Sequence, residues 1–378
     1  MPNVIDLFAG AGGLSLGAAR AGFKIVSAVE LEPHAIATHI ENFPTSIHIQ
    51  KDIMTLNGET LLALSEIRAG QLAGLIGGPP CQGFSSMGRG DVNDIRNTLF
   101  IKFFELVEDT RPLFFVAENV PGILNRKYDQ IRALAFEHIQ EYHLLPPIKV
   151  DASEYGAPTT RTRVFFIGVR DDIGIAAFTM DDIEQMKILP KERTNVLQAL
   201  EGLPNIIEQG NTTGIMAISD EYYEKTIPHA QSKFFYERVI GMRPKGVGNL
   251  DYIQRYKCKH EVNGFLSTKH SLSVRNRYAQ LRYGQRDRIS KSTRLNPEGF
   301  CPTLRAGTGP EKGSYQAVRP IHYEYDRVIT PREAARLQGF PDWFRLPDTI
   351  WHGFRQIGNS VSPIVAERVM SGIFQKLT

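Results

Sequence analysis

The chain has 378 residues, 42% hydrophobic and 22% charged, an ordinary globular composition long enough for two domains or for one large domain carrying an insertion. Cys81, Cys258 and Cys301 are too few and too scattered for a disulfide framework or a zinc site, and no leader or bilayer-spanning run is present, so a cytoplasmic protein with no metal and no membrane association is expected. The net charge of +3 hides an asymmetry: residues 231–325 hold 18 Lys and Arg against 7 Asp and Glu, a net of +11 that leaves −8 for the rest, which is the footprint of a polyphosphate partner.

NVIDLF at 3–8 reads as a short buried strand, followed by AGAGGLSLGAARAG at 9–22, a glycine turn running into a helical pattern. Strand, glycine turn and helix open a nucleotide-binding βαβ unit, in which a ligand approaches backbone amides at a helix N-terminus. FKIVSAVE at 23–30 is a second strand ending in Glu30, about 20 residues beyond the turn, where an acid can accept from ribose hydroxyls. PHAIATHIENF at 33–43 is helical, and SIHIQKDI at 46–53 is a third strand whose last residues, Asp52 and Ile53, suit an adenine amine and ring face. LLALSEIRAG at 61–70 is a helix and AGLIGG at 73–78 a fourth strand, an alternation that predicts a doubly wound parallel sheet of the α/β class.

The fourth strand runs into GGPPCQGFS at 77–85, which places the Cys81 thiol at a strand end on backbone stiffened by two prolines. Residues 82–97 lack periodicity and read as a lid beside it. TLFIKFFELVEDT at 98–110 is helical, and RPLFFVAENVPGIL at 111–124 is a strand that puts the Glu118 carboxylate at its end. IRALAFEHIQEY at 131–142 reads as a helix, and residues 148–170 as strand, turn and strand, with Arg161 and Arg163 on one face. Residues 171–325 have no assignable architecture; the helical pattern returns at TPREAARLQGF, 330–340, and residues 354–377 read as a turn followed by a long amphipathic helix.

In this order and combination the segments resemble the DNA (cytosine-5) methyltransferases of the bacterial restriction-modification type. DLFAGAGGLSLG at 6–17, GGPPCQGFS at 77–85, ENV at 118–120, RTRVFFIG at 161–168, REAARLQGFPD at 332–342 and RQIGNSVSP at 355–363 carry the resemblance. It implies a Rossmann-like S-adenosylmethionine-dependent catalytic domain at 1–172, a smaller irregular target-recognition domain at 173–325, and a C-terminal segment at 326–378 that rejoins the first. It implies Cys81 as nucleophile, Glu118 and Arg163 on the target base with Arg161 in support, and a cofactor site lined by Phe8, Gly10, Gly12, Gly13, Glu30, Asp52, Ile53, Pro80, Leu99, Asn359 and Ser360. Ser85 and Arg96 are expected at DNA phosphates, and Thr303, Leu304 and Arg305 at the DNA face. Leu31 and Thr159 depart from the family pattern, where an aromatic residue and Gln are usual.

The implied chemistry is consistent with these residue types. A thiolate adding at C6 of cytosine makes C5 nucleophilic toward a sulfonium methyl, and a protonated carboxyl at N3 draws electron density from C6. The cytosine must leave the duplex for this, at a few kcal/mol of unstacking. The expected partner is duplex DNA, bound by a monomer without an obligate protein partner; the resemblance also allows a cognate restriction endonuclease acting on the same site. A tRNA cytosine-5 methyltransferase on the same fold is the alternative, although the insertion is large for it. A dinucleotide oxidoreductase leaves Cys81, Glu118 and the two arginines unexplained, and that same set argues against an inactive DNA-binding regulator.

Overall fold

In a computed structural model, residues 1–80, 97–173, 178–204, 213–218, 232–241, 243–307 and 318–377 are described. An eight-stranded sheet organises them. Its strands are β1 (Asn3–Leu7), β2 (Lys24–Val29), β3 (Ile47–Ile49), β4 (Gly74–Gly77), β5 (Phe114–Asn119), β6 (Tyr142–Leu144), β7 (Ile148–Asp151) and β8 (Thr162–Arg170). The order is β3-β2-β1-β4-β5-β8-β6, with β7 also paired to β8. The first five are parallel, as the alternating pattern predicts, whereas β6, β7 and β8 pair antiparallel, so the sheet is mixed.

Alternation along the strands divides the core in two. Val4, Ile76, Val116, Phe165 and Ile167 join one buried cluster, and Ile5, Leu75, Phe115, Val164 and Phe166 join the other, as the two faces of a pleated sheet require. The helices α1 (Gly13–Ala21) and α2 (Pro33–Asn42) follow β1 and β2, while α3 (Gly58–Leu64), α4 (Asn97–Thr110) and α5 (Asp129–Phe136) follow β3, β4 and β5. Leu61, Phe100, Phe103 and Phe104 from α3 and α4 fill the second cluster.

Further on come α6 (Met180–Glu184), α7 (Val196–Leu200), α8 (Leu250–Lys259), α9 (Leu272–Ala279), α10 (Pro331–Gln338), α11 (Ile350–Asn359) and α12 (Pro363–Leu377). The first sheet face is covered by α1 together with α12, whose Ile364, Val365, Val369 and Ile373 lie in the same cluster as Leu14 and Leu16. The two helices approach so closely that a Cβ on Gly17 would lie 2.2 Å from the Ala366 Cβ. The α10 start matches its sequence signal: Thr330 and Glu333 form a reciprocal capping box, with Pro331 at the first position.

Two predicted elements are corrected. The helix expected over 131–142 ends at Phe136, and after a 3₁₀ turn Tyr142–Leu144 forms an edge strand on β8, where the Tyr142 hydroxyl donates to the Pro112 carbonyl at 2.8 Å. The predicted turn at the start of 354–377 is mostly the body of α11. Gly353 and Gly358 lie within that helix because the packing demands them: an added Cβ would meet Pro331 at 2.9 Å and the Ala306 backbone at 2.5 Å respectively. No helix among the described residues is long and apolar enough to cross a membrane.

Candidate active site

The C-terminal ends of β1, β2, β4 and β5 open onto a cavity of about 620 Å³ where the strand order reverses between β1 and β4. The turn after β1 bends sharply: Phe8 sits at φ 57° and Gly12, which caps α1, at φ 96°. A left-handed phenylalanine is a rare conformation that the surroundings must enforce. Phe8, Gly10 and Gly13 line the cavity; Gly12 does not, and a Cβ there would strike the Phe43 ring at 2.4 Å, so its place in the turn is a packing requirement.

Glu30 locks this turn to β2. Its Oε2 accepts from the Gly10 amide at 2.9 Å and its Oε1 from the Glu32 amide at 2.8 Å, while burial pushes the carboxyl above the usual glutamate range against those bonds. Asp52, Ile53, Pro80, Leu99, Asn359 and Ser360 also line the cavity, so all the predicted cofactor residues except Gly12 come together. Asp52 is exposed and caps the turn that follows through a bond from the Met54 amide at 3.0 Å, and Ile53 is buried. The Ser360 hydroxyl donates to the Gln356 carbonyl at 2.8 Å and thus closes the end of α11. Leu31, where an aromatic residue was expected, lies at the cavity edge and is 59% exposed.

At the opposite wall the β5–β8 register sets Glu118 opposite Phe165 and makes Arg163 its diagonal neighbour. Arg163 Nε meets Glu118 Oε1 at 2.7 Å, with both side chains nearly buried. Burial raises the Glu118 carboxyl above its ordinary value, and the positive charges of Arg163 and Arg161 oppose that rise without cancelling it. Arg161 is buried and donates to the Leu304 carbonyl at 3.0 Å. Thr159 donates to the Cys301 carbonyl at 2.9 Å, which fixes the 301–305 segment against the arginine strand. Leu304 is thereby buried, whereas Thr303 and Arg305 are exposed.

Pro79 and Pro80 line the same cavity, and Asn119 Nδ2 donates to the Pro79 carbonyl at 3.3 Å, tying this stretch to the end of β5. Cys81, Ser85 and Arg96 lie outside the described residues, as does the predicted lid apart from Asn97 at the start of α4.

Sequence reasoning missed Asp6 and Gln356. Both line the cavity, and Asp6 Oδ1 and Gln356 Oε1 are buried acceptors without a hydrogen-bond partner among the described residues. Unpaired buried acceptors are costly, so a ligand that brings ammonium or hydroxyl donors fits this wall. Asp6 was detectable as the one acid inside the apolar run NVIDLF.

A family model for C-5 cytosine-specific DNA methylases matches residues 2–375. The chain is 35% identical over 380 residues to Type II methyltransferase M.XorII of Xanthomonas oryzae pv. oryzae, covering 100% of this chain and 85% of the relative. It is 32% identical to Type II methyltransferase M.DdeI of Desulfomicrobium norvegicum, covering 98% and 88%. Among solved structures, a chain assigned as a DNA modification methyltransferase encoded within an E. coli prophage superposes with a TM-score of 0.87 at 47% identity, covering 100% of this chain and 99% of that one. The S. pombe Dnmt2 methyltransferase, at TM-score 0.62 and 17% identity with full coverage of both chains, shares the fold.

Proposed function

The chain belongs to the C-5 cytosine-specific DNA methylases, and from that membership we propose that it methylates a cytosine turned out of duplex DNA, with S-adenosylmethionine as methyl donor and Cys81 bonded transiently to C6. The carrying observation is the shared cavity, which the Gly10–Glu30 corner, the Glu118–Arg163 pair and Pro80, the residue before Cys81, all line.

The donor supplies an electrophilic methyl on a sulfonium sulfur. Glu30 is suited to its ribose hydroxyls and Asp52 with Ile53 to its adenine, while the unpaired acceptors on Asp6 and Gln356 suit a donor-rich, cationic tail. Cys81 adds as thiolate to C6, and the electron pair of the C5–C6 bond becomes available at C5. Glu118 keeps its proton to higher pH than an exposed glutamate and presents it to N3 of the base. Arg163 pairs with Glu118 and in this account takes the base O2, and Arg161, held on the Leu304 carbonyl, supports the pair. C5 takes the methyl while the pair of the broken S–CH3 bond stays on the donor sulfur, and loss of the C5 proton to a base then expels the Cys81 thiolate, returns the N3 proton and restores the ring.

Residues 173–325 act as the DNA-reading domain in this account, between a catalytic domain at 1–172 and its completion at 326–378; the net +11 of residues 231–325 supports phosphate contact. Thr303 and Arg305 have the exposure a DNA contact needs, and Ser85 and Arg96 are assigned to phosphates. The protein works as a cytoplasmic monomer, with a restriction endonuclease of the same specificity as its natural counterpart.

DNA carrying 5-fluorocytosine tests the reading directly, because fluorine cannot depart as a proton does. A covalent adduct should form with the wild type and be absent with Cys81→Ser, and bisulfite sequencing of DNA from expressing cells should show protected cytosines at one recurring sequence. Methyl transfer to tRNA and not to duplex DNA would overturn the proposal in favour of the alternative.

A further inference from the structure

At the rim of the cavity, outside the groups assigned to methyl transfer, three metal-ligating side chains converge from the two ends of the sequence. Glu32 caps α2, His34 is the second residue of that helix, and His352 lies in the first turn of α11. Their ligand atoms all lie within 4.8 Å of one another. The two imidazole rings stack at 3.8 Å between centroids with a 35° tilt. His352 Nδ1 is buried and has no hydrogen-bond partner among the described residues, although its ring lies against those of His34 and, edge-on, Trp351. The backbone beneath is already joined, because Gln356 Nε2 donates to the His34 carbonyl at 2.8 Å.

We propose that Glu32, His34 and His352 bind one borderline divalent cation of the Zn²⁺ class, which clips α11 to the entrance of α2 beside the methyl-donor cavity. Two imidazoles and one carboxylate are the donor set of zinc, nickel and copper sites rather than of magnesium or calcium, and three protein ligands leave a position for water. Tetrahedral zinc with bonds of about 2.0–2.2 Å needs ligand atoms about 3.4 Å apart, so modest rotation of the exposed His34 side chain completes the site. A metal takes imidazole in its neutral form, and the Arg355 guanidinium, stacked over Trp351 at 4.9 Å, brings a positive charge close to the site. It is the repulsive charge the cation must overcome, and the Glu32 carboxylate is the group that offsets it. This site is invisible in the sequence because His352 lies more than 300 positions from Glu32 and His34, and cysteine spacing is silent about histidine sites.

The chain contains two tryptophans, and Trp351 lies 4.6 Å from the His352 ring, so a quenching cation reports its own binding. In metal-stripped full-length Trp343→Phe protein, Ni²⁺ should quench the remaining Trp351 emission with a stoichiometry of one, and Zn²⁺ should compete it away. His34→Ala, at an exposed position, and His352→Gln should each weaken Ni²⁺ by about 10- to 100-fold. Zn²⁺ should raise the thermal midpoint of the wild type and not that of His34→Ala. Quenching that is unchanged in both histidine variants, or absent at millimolar Ni²⁺ in protein whose circular dichroism is native, would overturn the assignment. These readouts require no methyl transfer, so they are independent of the function proposed above.

Discussion

Closed from water inside β1, the Asp6 carboxyl is pushed up to about 7, by burial first, with Glu30 adding to the rise and the Ser15 hydroxyl opposing it. Ser15 Oγ donates to Asp6 Oδ2 at 2.5 Å and lies 3.0 Å from His39 Nε2, and His39 Nδ1 lies 2.9 Å from His48 Nε2. Between its unfolded value of 3.8 and about 7, the folded protein holds a proton on Asp6 that the unfolded chain has lost, so this group's contribution to stability fades as pH rises through that window. His39 runs the other way: burial holds it well below 6.5, and its contribution fades as pH falls. Asp6→Asn should therefore gain stability relative to the wild type as pH is raised from 4 to 7, by up to about 1.4 kcal/mol per pH unit, measured by urea denaturation at several pH values. A difference that stays constant across the series would contradict a neutral Asp6. The proposed role of Glu118 has a counterpart in the pH–rate profile. If its raised carboxyl supplies the proton, kcat/KM should fall as pH rises through that pKa, and Glu118→Gln should lower kcat/KM by about 10²- to 10⁴-fold and remove the falling limb. Rates within a few-fold of wild type in that variant would remove Glu118 from the chemistry.

Among the elements, α1 and α12 show how packing overrides propensity. Alanine at Gly17 would favour the helix by about 1 kcal/mol, yet its Cβ would lie 2.2 Å from the Ala366 Cβ and 2.5 Å from the Glu367 amide nitrogen. The clash concerns backbone and Cβ atoms, which cannot swing aside, so Gly17→Ala should destabilise by about 1–3 kcal/mol in chemical denaturation; a gain in stability would mean that the two helices separate easily. At this scale the first half of the chain was readable because its strands are short apolar runs, each ended by a glycine turn or a charged residue. Glu30, Pro80 and Glu118 could be placed together because each lies at or just beyond the C-terminal end of a parallel strand. Tyr142–Leu144 escaped because a three-residue edge strand carries too few residues to show a period of two. The α11 helix escaped because the glycines at 353 and 358 look like breakers when their neighbours are unknown.

Across the whole molecule, two buried arginines of α10 fasten residues 199–201 and 263 to the last part of the chain. Arg332 is fully buried and donates to the carbonyls of Asn263, Pro341 and Phe344. One turn later, Arg336 pairs with Asp342 at 2.5 Å, with both side chains 0% exposed, and donates to the carbonyls of Ala199 and Glu201. Removing one member of such a pair strands a buried charge, so Arg336→Met should cost about 3–5 kcal/mol, whereas Arg336→Met with Asp342→Leu should recover much of that loss. Denaturation of the two variants side by side provides the check. Additive losses in the double variant would show that the carbonyl contacts, and not the ion pair, carry the interaction. Only the fold could show this role: the spacing of Arg332 and Arg336 marks one helix face, and nothing in the residues themselves says that the face is dry.

The covering of α1 by α12 bears on how the protein is made. Strands β1 to β5 leave the ribosome early, but the sheet face bearing Val4, Ile25 and Val116 has its cover completed only once Ile364 to Ile373 have emerged, and Gln356, Asn359 and Ser360 reach the cavity in the same late interval. Until those residues emerge, the nascent chain carries an uncovered apolar surface and an incomplete cavity wall. The cavity is therefore assembled last, and a chain that lacks α11 and α12 should be left with an open sheet face and an unfinished cavity wall.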